Sequence, residues 1–182
     1  MISILLTILF SYILTLIQVS FLTTLPVPIS SLNLVFCVVL FITVMIGYEK
    51  GLIWAFCSGI FLSLYTALPY GATLLSLVIS VAVTNVLYQN FFTNRSLYSL
   101  AILGFIGTLV YNFLLLIYIS IFAIFGFAFS FAFYDIKLLY LWQPLMNVII
   151  LWTIFFIFFI TSGRLKNYFH FSGQLYEKRR QY

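Results

Sequence analysis

The stretch Phe91-Phe-Thr-Asn-Arg-Ser96 separates two long apolar runs, and its Arg95 is the only charged residue between Lys50 and Asp135. Aromatic residues open the stretch. Three short polar side chains follow that can accept hydrogen bonds from the amides at the start of a helix: Thr93, Asn94 and Ser96. This combination is typical of a turn between two membrane helices, where the chain comes to the water surface. The stretch therefore predicts one apolar helix on each side of it.

The composition of the whole chain points to lipid as its solvent. Of 182 residues, 65% are hydrophobic and 6% are charged, and the mean hydropathy is +1.22. A soluble domain carries roughly 25% charged residues. So few charges cannot cover a surface in water. Because one span needs about 20 mostly apolar residues, six helices with short loops account for most of the chain.

The apolar runs predict helices rather than strands, because they lack the alternation of a membrane β-barrel and only helices satisfy their own backbone in lipid. We expect spans over residues 2–25, 32–48, 51–68, 72–89, 97–126 and 138–162. The first is interpreted as a retained span, since no Lys or Arg precedes it and no cleavage site follows. The predicted fold is an all-α integral membrane protein, a compact six-helix bundle over residues 1–163 with a basic cytoplasmic tail over 164–182.

The basic residues orient this bundle. If the N-terminus is cytoplasmic, seven of the eight Lys and Arg residues lie inside and only Lys137 lies outside, in agreement with the positive-inside rule. The seven are Lys50, Arg95, Arg164, Lys166, Lys178, Arg179 and Arg180. Both termini are then cytoplasmic, and residues 91–96 form the cytoplasmic turn between helices 4 and 5. We interpret the turn and the tail as anchors on anionic lipid, with contact to a protein partner as the alternative.

Small residues recur at helical spacing on helices 3, 4 and 5, and such stripes let backbones approach closely in lipid. The stripes are Gly51, Ala55, Gly59 and Ser63; Ala72, Ser76 and Ser80; and Gly104 and Gly107. We predict that these three helices form the tight core, with a homodimer contact as the alternative. The main polar side chains in the spans are Gln18, Asn33, Asn85, Asn112 and Asn147. We expect them to hydrogen-bond between helices, and a ligand pocket is the alternative.

The sequence offers little that could carry out chemistry. Ionisable residues fall at the ends of the predicted spans: Glu49 and Lys50 at one boundary, Asp135 and Lys137 in an outer loop. The sole histidine, His170, lies in the tail without a metal-ligand or triad pattern around it. We therefore predict no enzyme, no cofactor or metal site and no nucleic-acid partner. Residues 125–134 (FGFAFSFAFY) alternate aromatic and small residues, and we expect them at the outer surface.

Several motifs together resemble one family. Asn33-Leu-Val opens helix 2, Lys50-Gly51-Leu52 opens helix 3, and Gly59 and Pro69-x-Gly71 follow. The turn contributes Phe92, Thr93, Asn94, Arg95 and Ser96 within FFTNRSLYS, and Gly104-x-x-Gly107-Thr-Leu-Val-Tyr111 comes next. The segment 33–111 resembles MreD, the rod shape-determining membrane proteins of bacteria. It departs from them at Ser63, where MreD-like sequences often carry an acid.

The resemblance implies a non-enzymatic scaffold of the cell-elongation (rod) complex in the bacterial inner membrane, which affects cell shape and peptidoglycan synthesis. MreD-like proteins are associated with MreC, with the wall-synthesis pair of RodA and a penicillin-binding protein, and with MreB filaments. The alternative is an S-component of an energy-coupling factor vitamin transporter. Such a component is also a small six-helix protein, and the bundle predicted for this chain is S-component-like. A lipid-handling enzyme or flippase would need ionisable residues in a cavity.

Overall fold

The structure is a computed structural model, and it describes residues 2–27, 29–66, 68–92, 96–125 and 138–161. These residues form helices and turns, with no strand among them, so the prediction of an all-helical protein is confirmed for this part of the chain. The α-helices are α1 (Ile2–Ser20), α2 (Leu34–Met45), α3 (Tyr48–Tyr65), α4 (Ala72–Phe91), α5 (Leu97–Ile124) and α6 (Gln143–Thr161). Short 3-10 turns lie at Leu22–Thr24 and Ile29–Ser31, and a π-helical turn at Leu138–Trp142 leads into α6.

Four stretches of the described chain are helical, long and apolar enough to cross a membrane, consistent with a helical membrane protein. They are Leu5–Thr24, Ala72–Phe91, Leu97–Ile124 and Tyr140–Ile160. The other two predicted spans correspond to less typical helices. α2 has 12 residues, a length of about 18 Å, which is shorter than the hydrocarbon core of about 30 Å. α3 has 18 residues and carries Glu49 in its first turn.

The boundary predicted between helices 2 and 3 is wrong. Helix 2 ends at Met45 and helix 3 begins at Tyr48, so Glu49 lies in the first turn of α3 rather than ahead of it. Gly47 separates the two helices with φ 147°, a conformation that side-chain-bearing residues rarely adopt. The carboxylate of Glu49 is favourable at this helix start, because it faces the positive end of the helix dipole.

The predicted close packing of α3 on α4 and of α4 on α5 is confirmed, but the prediction left out α2, which is the central helix. Nine of its 12 residues are buried. Its Phe36 ring packs on Tyr111 of α5 with ring centroids 5.8 Å apart, and its Phe41 ring packs on Phe158 of α6 at 5.3 Å. A helix that is apolar on every side is buried on every side. The helices with small-residue stripes surround α2.

Candidate functional site

Three side-chain amides hold the N-terminus of α2, and we call them the amide cluster: Gln18, Asn33 and Asn147. The first amides of any helix have no partner within the helix. Here the N–H of Val35 donates to Gln18 Oε1 at 2.8 Å, and the N–H of Phe36 donates to Asn33 Oδ1 at 3.0 Å. The N–H of Asn33 donates to Asn147 Oδ1 at 2.9 Å. These contacts join α1, α2 and α6 at one point.

The amide cluster lies inside the bundle rather than at its end. Asn147 Nδ2 donates to Thr108 Oγ1 at 3.0 Å, and Thr108 is near the middle of the 28-residue helix α5. Asn33 is 3% exposed, and both Asn147 and Thr108 are fully buried. α2 therefore begins at a buried point level with the middle of α5. Non-helical backbone at such a depth requires protein partners, and the cluster supplies them.

The expectation that the polar residues link helices is confirmed for Gln18, Asn33 and Asn147. It is wrong for Asn85, which is 8% exposed and forms no hydrogen bond to a described residue. Gln143 was missed, although it precedes Asn147 by one helical turn and is 5% exposed, and no described residue is a hydrogen-bond partner of its Oε1. The spacing of four residues between Gln143 and Asn147 was the available signal.

The chemistry of the amide cluster is that of neutral hydrogen bonds. Its three side-chain oxygens accept from the backbone of α2, so they are already used in holding the helix start. Within the part of the chain that the structure describes, no group of three or more His, Cys, Asp and Glu residues is placed to hold a metal ion. The arrangement can fix the position of α2 against α1, α5 and α6.

The structure places the predicted glycines at helix crossings. A Cβ built on Gly59 of α3 lies 3.0 Å from the Leu74 Cα of α4, so these backbones are nearly in contact. A Cβ at Gly51 would overlap Thr43 of α2. The other small residues of these two stripes are also buried, and they are Ala55, Ser63, Ala72, Ser76 and Ser80.

On α5, Gly104 and Gly107 face different neighbours. A Cβ at Gly104 would overlap the Leu151 side chain of α6. A Cβ at Gly107 would lie 2.5 Å from Thr84 Cγ2 of α4 and 2.9 Å from Phe36 Cζ of α2. Gly107 is therefore the point where three helices meet.

The structure describes both ends of the turn between α4 and α5, at Phe92 and at Ser96. Ser96 is the N-cap of α5, and its Oγ accepts from the N–H of Ser99 at 3.2 Å. Phe92 packs against the buried core. Several predicted residues lie outside the described part of the chain: Thr93, Asn94, Arg95, Asp135, Lys137, Arg164, Lys166, His170, Lys178, Arg179 and Arg180. Residues 126–134 of the aromatic segment also lie outside it.

Two open apolar pockets lie along the contact between the last two helices, and together they are here called the α5–α6 groove. One pocket, of about 640 Å³, is lined by Leu97, Trp152, Thr153, Phe156 and Ile157. The other pocket, of about 520 Å³, is lined by Ala101, Ile102, Phe105, Trp142, Leu145, Met146, Val148 and Ile149. Its α6 side repeats large residues three or four positions apart, which is one helix face. The smallest lining side chains are Ala101 and Thr153, between bulky aromatic ones.

Comparison of the chain with protein-family models, with curated proteins and with solved structures gave no match.

Proposed function

We propose that this chain is a non-enzymatic membrane scaffold of the bacterial rod complex, of the MreD type. The segment 33–111 that resembles MreD corresponds to α2, α3, α4 and the first half of α5, the helices that meet around Gly107. In this proposal the protein spans the inner membrane six times, and α2 and α3 cross it as a pair. Both termini lie in the cytoplasm, and the basic tail lies on anionic lipid.

The α5–α6 groove is the observation that carries the scaffold proposal. Helices in lipid associate through close packing, and their interfaces are enriched in small residues. In the groove, the small side chains of Ala101 and Thr153 leave depressions between the larger side chains. The neighbouring rings are those of Phe105, Trp152 and Phe156. A partner's transmembrane helix can place its side chains at those points. An MreC-like protein with one membrane helix is the proposed occupant.

Filling the groove should release the partner. We expect Ala101→Trp and Thr153→Trp each to reduce the amount of MreC-like protein that co-purifies in mild detergent about tenfold, the effect of losing roughly 1.4 kcal/mol of binding free energy. The control is Ala123→Trp, which adds the same side chain at an exposed position of α5. Equal recovery with all three variants would contradict the docking site.

The role in cell shape needs a test of its own. Depletion of this protein from its host is expected to turn rod-shaped cells round, because wall synthesis along the cell length would lose its scaffold. The measurement is the length-to-width ratio of cells during depletion. Normal rods after depletion, together with no co-purification of MreC-like protein, would contradict the proposed function.

A second candidate is the S-component of a vitamin transporter. The observation in its favour is the irregular backbone that enters the bundle before α2. Ser31, Leu32 and Asn33 are buried there, and the Oε1 of Gln143 has no hydrogen-bond partner within the described part of the chain. A small polar ligand would bind among such groups. A rise in thermal stability with a micromolar concentration of one vitamin would favour this candidate over the scaffold.

A further inference from the structure

A second groove lies between α3 and α4. It follows in sequence Glu49 and Lys50, the only charged residues in the described part of the chain. This α3–α4 groove has a volume of about 350 Å³ and is lined by Leu52, Ile53, Phe56, Cys57 and Val78. Glu49 and Lys50 precede it in the first turns of α3, and both are exposed. Neither forms an ion pair with a described side chain. One anion and one cation, unpaired among the described residues, therefore lie within about one helical turn of Ile53 in the lining of an apolar groove.

Helical spacing aligns these charges with the lining of the groove. Glu49 lies four residues before Ile53 and seven before Phe56, and Lys50 lies three before Ile53 and seven before Cys57. Residues at these separations lie on the same helix face. A molecule with its apolar part against Ile53 would have its polar part at Glu49 and Lys50.

We infer that the α3–α4 groove binds an acyl chain of a phospholipid whose head group has both a phosphate and a primary ammonium, as in phosphatidylethanolamine. The phosphate contacts Lys50 through a charge-assisted hydrogen bond. It is also near the N-terminus of α3, where the helix dipole favours negative charge. The ammonium donates to the Glu49 carboxylate. This site is separate from the α5–α6 groove and does not depend on a protein partner.

The pair of charges distinguishes this lipid from other common ones. A purely anionic head group, as in phosphatidylglycerol, can contact Lys50, but Glu49 repels it. A choline head group has a positive charge but no N–H, whereas a primary ammonium offers three donors. Of these three head groups, only ethanolamine meets both side chains with opposite charge and hydrogen bonds.

Native mass spectrometry of the full chain tests the inference. The protein is purified in mild detergent and mixed with equal amounts of phosphatidylethanolamine, phosphatidylglycerol and phosphatidylcholine that have the same acyl chains. We expect the ethanolamine lipid to be retained about threefold over each of the others, the size of one exposed charge contact. Equal retention of the three lipids would overturn the inference.

Variants assign this preference to the groove. Glu49→Gln should abolish the preference over phosphatidylglycerol while binding of that lipid persists, which also shows that the variant is folded. Lys50→Gln should lower retention of all three lipids relative to wild type, because each of them carries a phosphate. Cys57→Trp should lower retention of all three lipids without changing their order. Asn90→Asp, an exposed position on α4, is the control and should change nothing.

Two results would overturn the assignment. One is an unchanged preference for phosphatidylethanolamine in Glu49→Gln together with undiminished retention of the three lipids in Cys57→Trp. The other is occupation of the groove by a second copy of the chain, seen as a dimer linked through Cys57 when a short bifunctional thiol reagent is added in lipid nanodiscs.

Discussion

The variant Gly107→Leu is expected to unfold at much lower denaturant than the wild type, with a loss of about 3 kcal/mol in the free energy of unfolding, near the upper end for overpacked cores. A single Cβ at this position would already lie 2.5 Å from Thr84 Cγ2 and 2.9 Å from Phe36 Cζ. Leucine adds three more carbons at the point where α2, α4 and α5 meet. The helices must separate to make room for these carbons. The separation disrupts the packing of α2 against α4 and α5.

The measurement for Gly107→Leu is equilibrium unfolding in mixtures of mild detergent and sodium dodecyl sulfate, followed by circular dichroism. Ala123→Leu is the matched control, because it makes a similar small-to-large change on the exposed face of the same helix. Its unfolding midpoint should stay close to that of the wild type. If Gly107→Leu and Ala123→Leu had the same midpoint, the three-helix contact at Gly107 would be refuted.

The variant Asn147→Leu is expected to lose about 2 kcal/mol of unfolding free energy, the usual cost of leaving a buried donor without its partner. Leucine has a similar size but cannot accept from the Asn33 N–H or donate to Thr108 Oγ1. Hydrogen bonds between side chains of membrane helices average only about 0.6 kcal/mol. The larger value is expected here because a backbone amide inside the bundle loses its acceptor.

Asn85→Leu is the control for Asn147→Leu, since Asn85 is also buried on a helix but has no hydrogen bond to a described residue. We expect it to change the unfolding free energy by less than about 0.5 kcal/mol. Thr108→Val removes the acceptor of the Asn147 Nδ2 hydrogen bond, together with the Thr108 bond to the Gly104 carbonyl. Its effect and that of Asn147→Leu should therefore add only in part. Full additivity of the two changes would show that Asn147 and Thr108 do not act together.

Much of the fold could be predicted from local sequence. The break at Pro69-Tyr-Gly71 is where α4 begins, and Gly71 has φ 84°, a left-handed conformation that glycine adopts without strain. Gln18, Asn33 and Asn147 stand out because polar side chains are expensive in an apolar span. Their partners could not be predicted, because each bond joins residues that are distant in the chain.

The central position of α2 was hidden for a physical reason. Its sequence, LVFCVVLFITVM, is apolar on all sides, and a helix without a polar face gives no indication of which neighbours surround it. The small-residue stripes marked close crossings, but two of those crossings, at Gly51 and Gly107, are with α2 itself. The starting depth of α2 depends on the amide cluster, which forms only when α1, α5 and α6 are in place.

The grooves were even less accessible to sequence reasoning. Lipid tails are as apolar as leucine, so a face that meets lipid and a face that meets a partner helix have similar compositions. The regular spacing of Trp142, Ile149, Trp152 and Phe156 is visible in the sequence. The sequence does not indicate that α5 lies beside this face of α6. Ala101 and Phe105 line the same groove only because of the tertiary packing.

The most direct test of the six-span account is the side of the membrane on which Glu49 lies, because α2 and α3 must cross together for it to be cytoplasmic. The experiment labels Glu49→Cys with a membrane-impermeant maleimide in a Cys57→Ser background, leaving the fully buried Cys37 in place. Tyr70→Cys, at a position 73% exposed, is the outer reference. The account predicts that Tyr70→Cys reacts in intact cells and that Glu49→Cys reacts only after permeabilisation. Labelling of Glu49→Cys in intact cells would contradict it.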